Sequence, residues 1–174
     1  MKPVPFPQVS DLRRIHALVE VPAEMRGANL ARTAHHEAGH IVLMRWAGLD
    51  PTHATAAETG GRAHWTPWDD AEEVPQHDEA NRPIYAAWLA AVWHAGIVAE
   101  LLHAGLTWQG VLYRPRSQDW KTAAQFLAPH FGHGLAGHGY AQRTALAVLT
   151  EHWPEVQKIA AELIEHGEWR PTDY

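Results

Sequence analysis

Residues 84–103, "IYAAWLAAVWHAGIVAELLH", constrain the fold more than any other stretch, because they carry one formal charge, Glu100, and are apolar on nearly every side of a helix. Such a helix has to be buried by others around it. The chain is therefore expected to be mainly α, with this helix at the centre and Gly105 as its stop. At 174 residues it can bury one core, and a second full domain is not expected.

Several function classes fall away on composition. The formal charge of -6 is modest and mixed along the chain, and no run of Lys or Arg exists that could neutralise a row of phosphates, so no nucleic-acid partner is expected. The chain has no cysteine, which excludes disulfides, thiolate metal sites and a Cys nucleophile together. Any metal would be held through nitrogen and oxygen. The N-terminal "MKPVPFPQVSDLRR" has no apolar signal segment, and the longest apolar runs, such as "AAWLAAVW", fall short of a membrane span. The expectation is a soluble, cytoplasmic protein with no membrane partner.

Other elements follow from caps and breakers. Ser10 is expected to cap a short helix through Val19, and a longer helix spans 28–47, closed by Gly48 and Pro51, with Leu30, Ala34, Ala38, Ile41 and Val42 on one apolar stripe. "THATAAE" and "GRAHWTPW" flank Gly60 and Gly61 as a small hairpin, and the acidic residues 69–83 read as an exposed loop. Ser117 can cap a helix through Leu127. A glycine-rich turn, "HFGHGLAGHGY", then leads to a helical region over 141–166 that Pro154 breaks or restarts.

Within the 28–47 helix lies His36-Glu37-Ala38-Gly39-His40. Residues four apart lie one turn apart on one helix face, so His36 and His40 can offer two imidazoles to one ion, with Glu37 about 100° around the cylinder. His35 has no such partner, since Gly39 stands four residues on. Zinc held by two histidines and a third protein ligand keeps a position for water and lowers its pKa, and Glu37 is placed to act as the base. In a chain with 14 histidines, chance would produce this pattern in roughly one chain in twelve. Context argues against chance: the motif sits within an amphipathic helix and contains Gly39, disfavoured there by about 1 kcal/mol against Ala. A glycine in that place implies close packing or close approach of a substrate.

Two carboxylates are candidates for the third ligand. Glu100 lies in the apolar central helix, where an unpaired charge is costly, so it must have a partner. Asp119 lies in "SQDWKTAA", in the first turn of a capped helix, where it could also simply complement the helix dipole.

Taken in order, "HHEAGHIV", "AGIVAELLHAG", "RSQDWKTAA" and the terminal "EHWPEVQKIAAELIEHGEW" resemble the peptidase domain of the FtsH-type ATP-dependent zinc metalloproteases, from about residue 30 to residue 169. The resemblance implies one helical zinc-peptidase domain over 1–174, with an N-terminal extension at 1–27, a core at 28–169 and a small hairpin or sheet between the metal helix and the central helix. It implies His36, His40 and Asp119 as zinc ligands, Glu37 as the catalytic base, and Glu100 as the residue that orients a ligand histidine through its free ring N–H. The reverse assignment, Glu100 as ligand and Asp119 as support, stands open beside it.

This sequence departs from the family in three respects. It contains neither a Gly-x-x-x-x-Gly-Lys phosphate loop nor a spanning helix, so the expectation is a standalone peptidase, ATP-independent in itself, that acts on unfolded or short polypeptides or on substrates from a separate unfoldase or adaptor. "TWQGVLYRPR" lacks the small polar residues usual before the Asp ligand, and the family's peptide-pairing strand survives only as the "GGRAHWTP" hairpin. Family members assemble as hexamers, and nothing in these residues fixes an oligomeric state.

Among nine tryptophans, Trp46, Trp88 and Trp93 are assigned to core packing, and Trp65 and Trp68 beside the hairpin to a substrate groove. His130, His133 and His138 are taken as surface histidines rather than a second metal site. Two further readings stay in view: a catalytically inactive zinc-containing interaction module, which would have no use for Glu37, and a zinc hydrolase of a non-peptide amide.

Overall fold

The apolar helix does lie at the centre. In the computed structural model, which describes residues 2–66 and 79–171, helix α1 is Leu30–Trp46, α2 Arg82–His103, α3 Gln118–Phe131, α4 Ala136–Glu151 and α5 Trp153–His166. The protein is mainly helical with a small sheet. Helix α2 packs against α1, α3 and α4, and α1 also packs against α5. By length and composition α2 would also suit a membrane span, but 72% of its most apolar window is buried inside the fold.

Small residues let these helices approach. Ala87, Ala90, Ala91, Ala95 and Ala99 of α2 are fully buried, and a Cβ on Gly39 of α1 would stand 2.7 Å from the Ala99 Cβ and 2.8 Å from the Ala95 carbonyl oxygen. The glycine within the histidine motif therefore serves helix packing. Helix α1 starts at Leu30, two residues after the expected start, where the Asn29 side chain accepts a hydrogen bond from the Arg32 N–H at 2.8 Å.

The hairpin forms as expected. Strands β2 (Pro51–Ala57) and β3 (Gly60–Trp65) pair antiparallel with Ala56 opposite Gly61, and β5 (Glu168–Trp169) adds to the far side of β2. The order β3-β2-β5 leaves the outer edge of β3 unpaired among the described residues. Trp65 is half-buried edge-on against Trp93 at 5.3 Å, so it belongs to the rim of the core and not to a substrate groove. Trp46, Trp88 and Trp93 also pack against the core. Trp68, and residues 69–78 of the acidic stretch, lie outside the described residues.

Two expectations fail for reasons of long-range pairing and packing. The helix expected from Ser10 through Val19 is only a 3-10 turn, Val9–Arg13, started by Gln8, whose N–H donates to Asp11 at 3.0 Å. Residues Leu18–Glu20 instead form β1, parallel to β4 (Val111–Tyr113), with Leu18 opposite Val111. The N-terminal extension is thus tied into the fold. The glycine-rich turn is shorter than expected, because Gly137 and Gly139 lie inside α4, which begins at Ala136 rather than near 141. A Cβ on Gly137 would meet the Phe131 ring at 2.8 Å, and one on Gly139 the His16 ring at 2.7 Å. These glycines admit aromatic rings. Gly132, at φ 61°, makes the turn. Helix α3 runs past Leu127 to Phe131 because Pro129 lies in its last turn, where only one rung is lost. The break at His152, with Pro154 opening α5, is where proline placed it.

Candidate metal centre

His36 and His40 project from α1 one turn apart, and each ring is fixed by an acceptor at its Nδ1. The His36 Nδ1–H donates to Oε1 of Glu100 at 2.7 Å, and the His40 Nδ1–H donates to the Val92 carbonyl of α2 at 2.7 Å. Those tautomers leave both Nε2 lone pairs facing one point, 3.1 Å apart. Asp119, in the first turn of α3, brings Oδ2 to 3.2 Å from His36 Nε2 and 3.7 Å from His40 Nε2. Three acceptors converge, and only a cation, proton or metal, satisfies them. The spacing suits a metal, since tetrahedral ligands bound at about 2.0–2.1 Å stand about 3.3 Å apart. His36, His40 and Asp119 can therefore hold a metal ion.

The acid–base behaviour shows the same demand. Burial lowers the His36 pKa, but its hydrogen bonds to Asp119 and Glu100 and the charge of Glu37 overcome that and raise it to about 10. Burial likewise raises the Asp119 pKa, but the bonds to His36 and His40 hold it well below the usual carboxylate range. A metal entering here competes with a proton.

Glu100 stands on the Nδ1 side of His36, away from the point where the three donors meet. Only 2% exposed, it accepts two bonds from Arg114, at 2.8 and 2.6 Å, and its Oε2 lies 3.3 Å from Arg32 Nε. Burial would raise its pKa, but Arg114 and His36 bring it down to about 2. It is a fixed anion that orients His36, and the geometry in which Glu100 replaces Asp119 among the converging donors is not the one found. Arg32 in turn donates to the carbonyls of Arg26 and Gly27, and Arg114 to that of Met25 at 3.1 Å. These arginines lock the segment before α1 and the loop before α3 onto one carboxylate.

Glu37 is 5% exposed and lies in the wall between the histidines and β3. Burial raises its pKa against the opposing charges of His36 and His40. A Cβ on Gly61 would stand 2.8 Å from Glu37 Oε1, so the glycine of β3 makes room for this carboxylate. His36, Glu37 and Asp119 share an open cleft of about 840 Å³, walled by Gly60 and Gly61 of β3 on one side and by Met25 and Arg114 on the other.

The sequence motifs point to His36, Glu37, His40, Glu100 and Asp119, and the structure gathers all five. They do not point to Gly96, where a Cβ would fall 2.3 Å from His36 Nε2, nor to Arg32 and Arg114. The small residues of "AGIVAE" were the visible signal for Gly96, and the buried Glu100 was the signal for an arginine, though not for which one. His35 donates from Nδ1 to the Ala31 carbonyl at 2.7 Å and stacks on His103 at 3.8 Å, so it takes no part in the centre. His130 and His133 are exposed, as expected, but His138 is buried against His94 and Trp120. No family model matches the chain, and no curated protein matches it significantly.

Proposed function

We propose that the chain is a zinc-dependent metalloendopeptidase of the FtsH-like kind suggested by its motifs, cleaving unfolded or short polypeptides. The observation that carries this reading is the placement of a buried carboxylate, Glu37, beside three converging donors on an open cleft with the outer edge of β3 as its wall. Two imidazoles and one carboxylate are a donor set that suits zinc, and also non-haem iron. A carboxylate beside the site that is not itself a ligand favours hydrolysis.

Zinc bound by His36, His40 and Asp119 would supply a Lewis acid that lowers the pKa of a water and polarises a carbonyl. Glu37, its proton affinity raised by burial, takes the proton of the attacking water and returns it to the leaving amine. Glu100 keeps the His36 proton on Nδ1, so that Nε2 stays a donor to the ion. The outer edge of β3 offers main-chain hydrogen bonds to an extended peptide, which predicts little side-chain preference.

The test pairs metal analysis with a casein-type assay on an unfolded substrate. About one zinc per chain is expected in the wild type and in Glu37→Gln, with cleavage lowered by about 10²- to 10⁴-fold in the variant. Zinc retained with cleavage unchanged in Glu37→Gln would remove the catalytic assignment. Zinc bound with no cleavage of peptides by the wild type would favour the inactive module or the non-peptide amidase. Iron in place of zinc would point away from hydrolysis.

A further inference from the structure

Asp119 has to be delivered to the two histidines by α3, yet that helix is thinly anchored at the end that matters. Its fully buried residues are Ala123 and Leu127, one and two turns beyond Asp119. Besides the Ser117 side chain, which accepts from the Trp120 N–H at 3.3 Å, what holds the first turn is the Trp120 ring. It lies flat on the His138 imidazole, with centroids 4.0 Å apart and planes within 1°, while Tyr113 packs edge-on against it at 5.0 Å and His94 at 5.6 Å.

The His138 ring is itself fixed by a chain of hydrogen bonds whose direction can be read from one end to the other. The Leu112 N–H donates to Gln142 Oε1 at 2.8 Å, and Gln142 Nε2 donates back to the Leu112 carbonyl at 2.8 Å, which sets the amide orientation. Gln142 Nε2 also donates to His94 Nδ1 at 3.4 Å, so the His94 proton sits on Nε2 and is donated to His138 Nδ1 at 2.9 Å. Gln142 is completely buried, His94 2% and His138 6% exposed. Two imidazoles and an amide are an expensive way to fill a core. What they add over apolar side chains of like volume is a ring plane that cannot rotate. The same network grips Leu112 of β4, so both ends of the 114–117 loop, which carries the Glu100 clamp Arg114, are referred to α4.

We propose that His138 is a positioning residue for the metal centre: held by His94 and Gln142, it fixes Trp120 by stacking and thereby sets Asp119 on the point where His36 and His40 converge. This rests on the reading of the centre as a metal site.

A double-mutant cycle on the full chain tests it, with zinc affinity measured by competition against a chelating dye in the wild type, His138→Ala, Asp119→Ala and the double variant. His138→Ala is expected to weaken zinc binding by about 10-fold or more when Asp119 is present. In the Asp119→Ala background the same change should alter affinity by less than about twofold, because the ligand through which it acts is gone. His138→Phe, which keeps a flat ring beneath Trp120 but cannot accept the His94 Nε2–H, should recover only part of the loss. Trp120→Leu, which leaves the buried histidine pair intact, should reproduce the Asp119-dependent weakening if His138→Ala does not fold. An equal effect of His138→Ala in both backgrounds, or none in either, overturns the proposal while leaving the metal centre standing. Equal zinc affinity in the wild type and Asp119→Ala would instead overturn the metal-site reading itself, and this inference with it.

Discussion

Whether His36 reaches the centre is decided by a hydrogen atom on another helix. Gly96 offers its bare Cα to the imidazole, and Gly96→Ala would drive a methyl group into Nε2. The variant is expected to keep its helix content by circular dichroism, since Ala is the better helix former, and to lose metal affinity by at least about 10-fold in a chelator competition. Glu100→Gln, which keeps size and an acceptor oxygen but removes the anion, should weaken metal binding by about 10- to 100-fold, because the His36 imidazole loses the negative charge that raises its basicity. The asymmetry of what could be read follows from distance along the chain. His36 and His40 announce themselves through helical spacing, and Glu100 through its isolation in an apolar run. Arg114 and Gly96 matter only because α2, the loop before α3 and α1 meet in space, and no local pattern records that meeting.

At the scale of elements, the junction of α1 and α2 sets the depth of the centre. Gly39→Ala adds a methyl group that would lie 2.7 Å from the Ala99 Cβ, and its gain in helix propensity is smaller than the strain of pushing two packed helices apart. The expected outcome is a destabilisation of about 1–3 kcal/mol in urea unfolding, with Gly39→Ala combined with Ala99→Gly recovering part of it. The long helices α1 and α2 were legible because their periodicity, caps and stops agree. Strands β1 and β4 were not, since three residues paired in parallel across more than ninety positions leave no local trace. The glycines at 137 and 139 misled because glycine signals a turn and a close packing contact with the same letter.

Over the whole molecule, pH should act from both sides. Burial holds His94 and His138 well below the ordinary 6.5, at about 3 and about 4, so the unfolded chain binds more protons than the folded one as pH falls below 6.5, and stability is lost. Glu100, brought down to about 2, adds to that loss below its ordinary 4.5. His36, raised to about 10, works in the opposite direction: its contribution is complete below 6.5 and is lost as pH rises through 10. Thermal melts in the presence of a chelator should therefore peak near neutral pH. Excess zinc should lift the alkaline limb, where the ion no longer has to displace a proton, and leave the acid limb unchanged. Among the described residues nothing pairs with the outer edge of β3, and that edge borders the cleft. A second copy of the chain that zipped onto it would sit where a substrate is proposed to lie, so crowding of the protein with itself should behave as competitive inhibition, relieved by dilution or by more substrate.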